Sequence, residues 1–477
     1  MPPLETRPPF DPKVLVDAAV QFFVVFKLAK VYEPNNANFR ARLGELYSVY
    51  ERLRRTAGEM GLQYRPGFLF VNWTRIKFDA STHAIFRSLA GEFLSRRLGA
   101  VVFRPDLSSE ELGRFMLFLA RSEVAKDEPF EALERRFQAA GFAHVRMEKL
   151  PDLETDETSD GSPAPIYFLG VFHLQQLFGN RTGAWNFYIT KRWIESICDL
   201  IALDESFLFG LVNIKNFEDY TLNHSVNVSI LSLALGRRIG LSRSELVDLG
   251  ISAALHDVGK QDVPKEILEK PAALDAAERS VIERHSHEGA STLIRLMATH
   301  DLPLPAVQVA LEHHVMANLG GYPKYVRRKR VTLFSRIVKI TDYYDAVTTP
   351  RVYRPNVLNP EATIRLMAEK SGTEFDPVLL RVFARMLGPY PVGSLVALNG
   401  GEIGIVFENH PQAALSRRPV VKIIADSAGR RIDGPVVDLS DPGAETRLIV
   451  KSLDPARYGV QISDYFLARA GAALGRD

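Results

Sequence analysis

The spacing of apolar positions divides the chain into three textures. Through residues 1–150, helical and strand-like patterns alternate. Residues 15–32 repeat apolar positions at helical spacing, 39–60 read as a charged amphipathic helix, and 67–72 as a short buried strand. In "PDLSSEELGRF", Ser108 or Ser109 is placed to cap a helix whose first turn carries Glu110 and Glu111 beside the positive helix end. Residues 152–165, "DLETDETSDGSPAP", are acidic, polar and aperiodic, which predicts a linker over 151–165. From 166 to 390 the stretches "SELVDLGISAALHDVG", "AAERSVIERHSHEGASTLIRLM" and "LFSRIVKITDYYDAVTT" carry apolar residues three and four apart, predicting an all-α bundle. Past 390, Gly-rich turns separate β-branched runs such as 419–424 and 448–453, predicting a small β-rich domain over 391–477. The expected architecture is multidomain: an N-terminal α/β or α+β accessory domain over 1–150, a central helical domain over 166–390, and the β domain.

Composition changes this picture little. A chain of 477 residues exceeds one ordinary core, so two or more domains are expected. Hydrophobic residues at 46% and charged residues at 24% are those of an ordinary globular protein. A net charge of +2 points to neither a nucleic-acid binder nor a binder of acidic surfaces. The single cysteine, Cys198, excludes an intramolecular disulfide and fits a reducing cytoplasm. The N-terminus lacks the basic and apolar regions of a signal peptide, and the apolar run 18–26, interrupted by Gln21, is half a membrane span at best. A cytoplasmic protein without a membrane span is expected.

The histidines carry the chemistry. Seven of the eleven fall between His224 and His314. His224 heads the helical run "HSVNVSILSLAL", His256-Asp257 ends "LVDLGISAALHD", His285 sits in "VIERHSHEGA", His313-His314 end "VQVALEHH", and Asp342 lies on "IVKITDYYDAV". Each lies on or at the end of a separate apolar helix, and helices packed on one core can converge such residues. Taken singly, a His-Asp pair or a double histidine at a helix end has a plain structural reading; taken together they point to a metal site. Imidazoles and carboxylates without thiolates suit Fe, Mn, Ni, Co or Zn in hydrolytic centres. A carboxylate can bridge two ions, and Asp257 is the candidate bridge. Lys260, about one turn beyond Asp257, could meet a phosphate oxygen as a point charge. His287 and His300 are expected bystanders, and the isolated His83 and His144 carry no predicted chemistry.

Five ordered blocks resemble the HD superfamily of metal-dependent phosphohydrolases, and specifically its HD-GYP branch: "YTLNHSVNV" (220–228), "LHDVGKQDVPKEILEKP" (255–271), "IERHSHEGA" (282–290), "HHVMANLGGYP" (313–323) and "RIVKITDYYDAVTTPRVYR" (336–354). The resemblance implies an all-helical HD-type catalytic domain with two or three metal ions, commonly iron or manganese. It also implies hydrolysis of cyclic di-GMP to pGpG or GMP in bacterial second-messenger signalling. It carries over His224, His256, Asp257, His285, His313, His314 and Asp342 as metal ligands, Asp257 and Lys260 as catalytic, and Lys260, Tyr322 and Arg351 as substrate contacts. The expected partner is a cyclic dinucleotide or related nucleotide, with room for a homodimer or a signalling partner.

Two departures matter. Where the family continues its double histidine with Glu, two residues, Asp and Gly, this chain has Val315, Asn318 and Leu319. The change alters the loop rather than the ligand set, and leaves a hydrolase of another nucleotide or phosphoester, or a catalytically weak cyclic di-GMP-binding signalling protein, as alternatives. Trinuclear members carry a glutamate one turn before the first histidine; here that position is Tyr220, with Glu218 and Asp219 off the helical phase, so a binuclear site is expected.

Overall fold

Two compact units divide the chain, one over 6–160 with 467–477 and one over 161–466 with 1–5. The computed structural model describes residues 12–466 except 66–67, 73, 77–82, 123–129, 151–162, 180–186, 213–219, 269, 271, 299, 325–329, 350–357, 411, 445 and 463–464.

In the first unit, helices α1 (Pro12–Val31) and α2 (Ala37–Ala57) precede strands β1 (Met60–Arg65), β2 (Phe68–Val71) and β3 (Thr74–Arg75). Helix α3 (His83–Ser95), strand β4 (Leu98–Phe103), helices α4 (Ser109–Arg121) and α5 (Phe130–Ala140) and strand β5 (Val145–Lys149) follow. The strands form an antiparallel sheet of order β3-β2-β1-β4-β5, an α+β arrangement. Asn36 caps α2 by accepting from the Asn38 and Phe39 amides. The charged helix ends earlier than its pattern suggested: Gly58 takes φ 83° at the C-cap, and Met60 already belongs to β1. Ser108, not Ser109, caps α4, accepting from the Glu111 amide. Phe22, Phe26, Leu46, Phe103 and Phe115 lie at the centre of this core. The expected acidic linker falls largely at 151–162, outside the described residues.

The second unit is helical before it is β. Its helices are α6 (Pro163–Gly179), α7 (Phe187–Leu211), α8 (Tyr220–Arg238), α9 (Arg243–Leu255), α10 (Lys265–Leu268), α11 (Ala276–Glu283), α12 (His285–Met297), α13 (Leu304–Glu312), α14 (Leu333–Thr348), α15 (Pro360–Glu369) and α16 (Pro377–Leu387). Helix α8 is the axis: residues 222–236 are buried on every side, and it packs against α6, α7, α9, α14 and α16. A helix surrounded this way needs small residues where neighbours approach. Ser229 Oγ donates to the Ser225 and Gly250 carbonyls, and Ser232 bonds Thr341 across to α14. Starts are marked by capping boxes, Ser242 with Glu245 on α9 and Asp275 with Glu278 on α11.

Beyond α16, strands β6 (Leu395–Leu398), β7 (Ile403–Glu408), β8 (Val420–Ala425), β9 (Val436–Asp438) and β10 (Ile449–Leu453) form a second antiparallel sheet of order β10-β6-β7-β8-β9. Val396, Leu398, Val406, Val421, Ile423 and Leu439 fill its own small core. No described helix is long and apolar enough to cross a membrane.

Candidate metal centre

The site is assembled from helix ends around α8. Three of its histidines sit where a helix stops or restarts: His256 caps the end of α9, His285 opens α12 directly after α11, and His313 caps the end of α13. Terminal carbonyls there are free to accept side-chain donors. His256 Nδ1 lies 2.7 Å from the Ala253 carbonyl, His285 Nδ1 2.6 Å from that of Ile282, and His313 Nδ1 3.0 Å from that of Ala310. A carbonyl only accepts, so each Nδ1 carries the proton and each Nε2 of the neutral ring is a bare lone pair turned inward. Glycine permits the approach: a Cβ at Gly259, in the 3-10 turn Val258–Asp262, would meet the His285 carbonyl oxygen at 2.0 Å.

Asp257 stands at the centre. Its Oδ1 is 3.4 Å from His285 Nε2 and 3.7 Å from His313 Nε2, while Oδ2 is 3.4 Å from His256 Nε2 and 3.9 Å from His224 Nε2. The Nε2 atoms of His285 and His313 are 3.2 Å apart. Two lone pairs at that distance repel, and His256 Nε2 and Asp257 Oδ1 are buried without a hydrogen-bond partner. Such orphaned lone-pair atoms are costly in a protein interior and are what a cation satisfies. Two groups of ligand atoms lie within 4.8 Å of one another, Asp257-His285-His313-His314 and His224-His256-Asp257, with Asp257 common to both. A divalent ion therefore fits the donor set.

Charge follows the same geometry. Burial holds His285 neutral, with its pKa lowered to about 3, and lowers His313 and His314 as well. Burial opposes charge on His224 too, but Asp342 and Asp345 bond its two nitrogens and raise its pKa to about 9. Burial would raise Asp257; the neighbouring Lys260 ammonium overcomes it and holds the carboxyl well below its usual range. Asp342 is held low in the same way, burial being outweighed by its bond from His224.

The seven predicted ligands thus line one site, with His314 half-buried and Asp342 outside both groups, bonded instead to His224 Nε2. Lys260 is present but engaged, its ammonium paired with Asp257 Oδ2. Tyr322 stacks on His314, ring centroids 4.5 Å apart and 30° between planes, and meets His285 edge-on at 6.1 Å, so its ring braces two imidazoles. Arg351, Glu218 and Asp219 lie outside the described residues, as does the side chain of Tyr220. His287 is exposed on α12, and His300 packs edge-on against Phe187 at 5.2 Å. The sequence reading missed Asp345, whose Oδ2 is 2.7 Å from His224 Nδ1. Its spacing was the available signal, since it follows Asp342 by one helical turn on α14.

The altered loop is well anchored. Val315 is buried and bridges to Gly321, Met316 N–H donates to the Gly320 carbonyl, and the Ala317 and Asn318 amides donate to the Glu374 and Thr373 carbonyls. Gly321, at φ 78°, passes so close to the His314 carbonyl that a Cβ would lie 2.3 Å from its oxygen. Leu319, where the family has glycine, also takes a left-handed backbone, φ 68°.

Residues 195–379 match the HD domain family, and residues 395–461 match a KOW domain associated with HD domains. The helical region thus carries an HD domain, and the relatives it matches support the HD-GYP branch of the metal-dependent phosphohydrolases. The chain is 36% identical over 243 residues to a cyclic di-GMP phosphodiesterase of Pseudomonas aeruginosa, covering 51% of this chain and 57% of that one. It is 29% identical over 198 residues to a 3'3'-cGAMP-specific phosphodiesterase of Vibrio cholerae, covering 40% and 42%. It is 28% identical over 189 residues to a cyclic di-GMP phosphodiesterase of Thermotoga maritima, covering 38% and 50%. The chain spans about half the length of these relatives.

Proposed function

We propose that the helical domain binds two divalent ions, iron or manganese, and hydrolyses a phosphodiester bond of cyclic di-GMP to give pGpG or GMP. The observation that carries this reading is the shared carboxylate: Asp257 belongs to both ligand groups and has an unsatisfied buried oxygen. One ion would be held by Asp257, His285, His313 and His314, the other by Asp257, His224 and His256, with Asp342 beside His224. When bound, such ions supply Lewis-acid charge to a phosphoryl oxygen and lower the pKa of a water.

The chain's own residues prepare this site. Backbone carbonyls lock the Nδ1 protons of His256, His285 and His313, so each ring presents its lone pair without reorganisation. Tyr322 holds the plane of His314. Lys260 lies beside Asp257, placed to offset charge on a non-bridging phosphate oxygen once cations share that carboxylate, and Arg351 is the second such group in this reading. The N-terminal α+β unit and the C-terminal sheet are accessory to the reaction.

The test is cyclic di-GMP turnover by anaerobically purified protein with Mn(II) or Fe(II), beside the His256→Ala/Asp257→Ala double variant. Turnover in the wild type and none in the variant is expected; equal turnover sinks the mechanism. A second reading, hydrolysis of another cyclic dinucleotide, is favoured by the apolar 315–319 loop and by a relative named as specific for 3'3'-cGAMP. A substrate panel separates the two.

A further inference from the structure

We propose that Asp345, Asn227 and Tyr167 form a hydrogen-bonded chain that positions His224 for metal binding, extending the support of the site to α6, outside the segment matched to the HD domain. The inference rests on the metal reading above.

His224 faces a problem that His256, His285 and His313 do not. Those three turn Nε2 inward by bonding Nδ1 to carbonyls at helix ends. His224 lies in the second turn of α8, whose carbonyls are engaged in the helix, and α8 is surrounded by protein. Its Nδ1–H therefore needs a side-chain acceptor. Asp345 Oδ2 on α14 supplies it at 2.7 Å, across 121 residues of sequence.

Asp345 is wholly buried, and a buried carboxylate is costly unless both oxygens are bonded. Its Oδ1 accepts from Asn227 Nδ2 at 2.9 Å. Asn227 follows His224 by one turn of α8, which puts both side chains on the face toward Asp345. The Asn227 amide nitrogen also donates to the Val212 carbonyl at 3.2 Å, and its Oδ1 accepts the Tyr167 hydroxyl at 2.9 Å. Asn227 and Tyr167 are fully buried as well. A chain satisfied at each of these links is rigid, and that rigidity reaches the ring of His224. Carboxylate partners of this kind orient a ligating imidazole and raise its basicity. The three are positioning residues, since each acts through His224.

The experiment is Mn(II) titration of the full chain, purified metal-free, by isothermal calorimetry well below its melting midpoint. Wild type, Asp345→Asn and Tyr167→Phe are compared, with melting of each metal-free protein recorded in parallel. Asp345→Asn is expected to weaken Mn(II) binding about 10- to 100-fold, and Tyr167→Phe roughly two- to tenfold. Wild-type Mn(II) affinity in both folded variants, even with lowered melting midpoints, overturns the proposal, because a purely structural role moves stability alone. Should Asp345→Asn fail to fold, Tyr167→Phe decides, since it removes one oxygen and keeps the ring. A wild type that binds no Mn(II) overturns the metal reading instead.

Discussion

Gly259 packs against the carbonyl of His285 so closely that a Cβ would lie 2.0 Å from its oxygen and 2.5 Å from the Gly289 nitrogen. The contact is backbone on backbone, so no side-chain rotation relieves it. Gly259→Ala is expected to push α12 away from the Asp257 turn, costing about 1–3 kcal/mol of stability and lowering metal content per chain. Urea denaturation with elemental analysis measures both; unchanged metal content would show that His285 does not depend on this contact.

Metal binding should stabilise the fold through Asp257. A ligand at about 100 times its dissociation constant adds about 2.7 kcal/mol, so Mn(II) is expected to raise the melting midpoint of the wild type. Asp257→Ala, which removes the carboxylate common to both groups, should abolish that rise. A midpoint that climbs equally in both proteins would place the ions elsewhere.

Leu319 holds a left-handed backbone although it is not glycine, and its side chain is 44% exposed. That conformation costs a non-glycine residue about 1–2 kcal/mol, little of it returned by burial. Leu319→Gly should stabilise the protein by about 1 kcal/mol after the extra chain entropy of glycine is offset, whereas Leu319→Ala should not. Denaturant midpoints of the two variants make the comparison.

His173 gives the fold a pH dependence away from the centre. It is buried between α6 and α7, bonded to Thr190 Oγ1 at 2.7 Å, and burial lowers its pKa from 6.5 to about 4. The folded state therefore takes up this proton later than the unfolded chain. The contribution is intact above pH 6.5, declines as pH falls toward 4, and totals about 3 kcal/mol over that window. Stability curves for wild type and His173→Gln should differ in slope within that window and run parallel above and below it. A His173 resonance titrating above pH 6 by NMR would contradict this.

Much of the site was legible in one dimension because its residues repeat a helical logic. His256-Asp257 and His313-His314 stand where apolar periodicity stops, and those stops are the helix ends whose free carbonyls hold the rings. The β texture after 390 likewise announced a sheet, since alternating β-branched runs between glycines have few other uses. The end of α2 was misplaced because apolar spacing continues through Gly58 into β1.

By itself the sequence determined which side chains could bind a cation and which helices carry them, because residue type and periodicity are local properties. Tertiary structure alone decided that Asp345 meets His224 and Tyr167 meets Asn227, pairings that span 121 and 60 residues. It also decided that Lys260 pairs with Asp257 and that Tyr322 braces His314. The physical reason is that a helix repeat specifies a face, while the partner of that face is chosen by packing of the whole unit around α8.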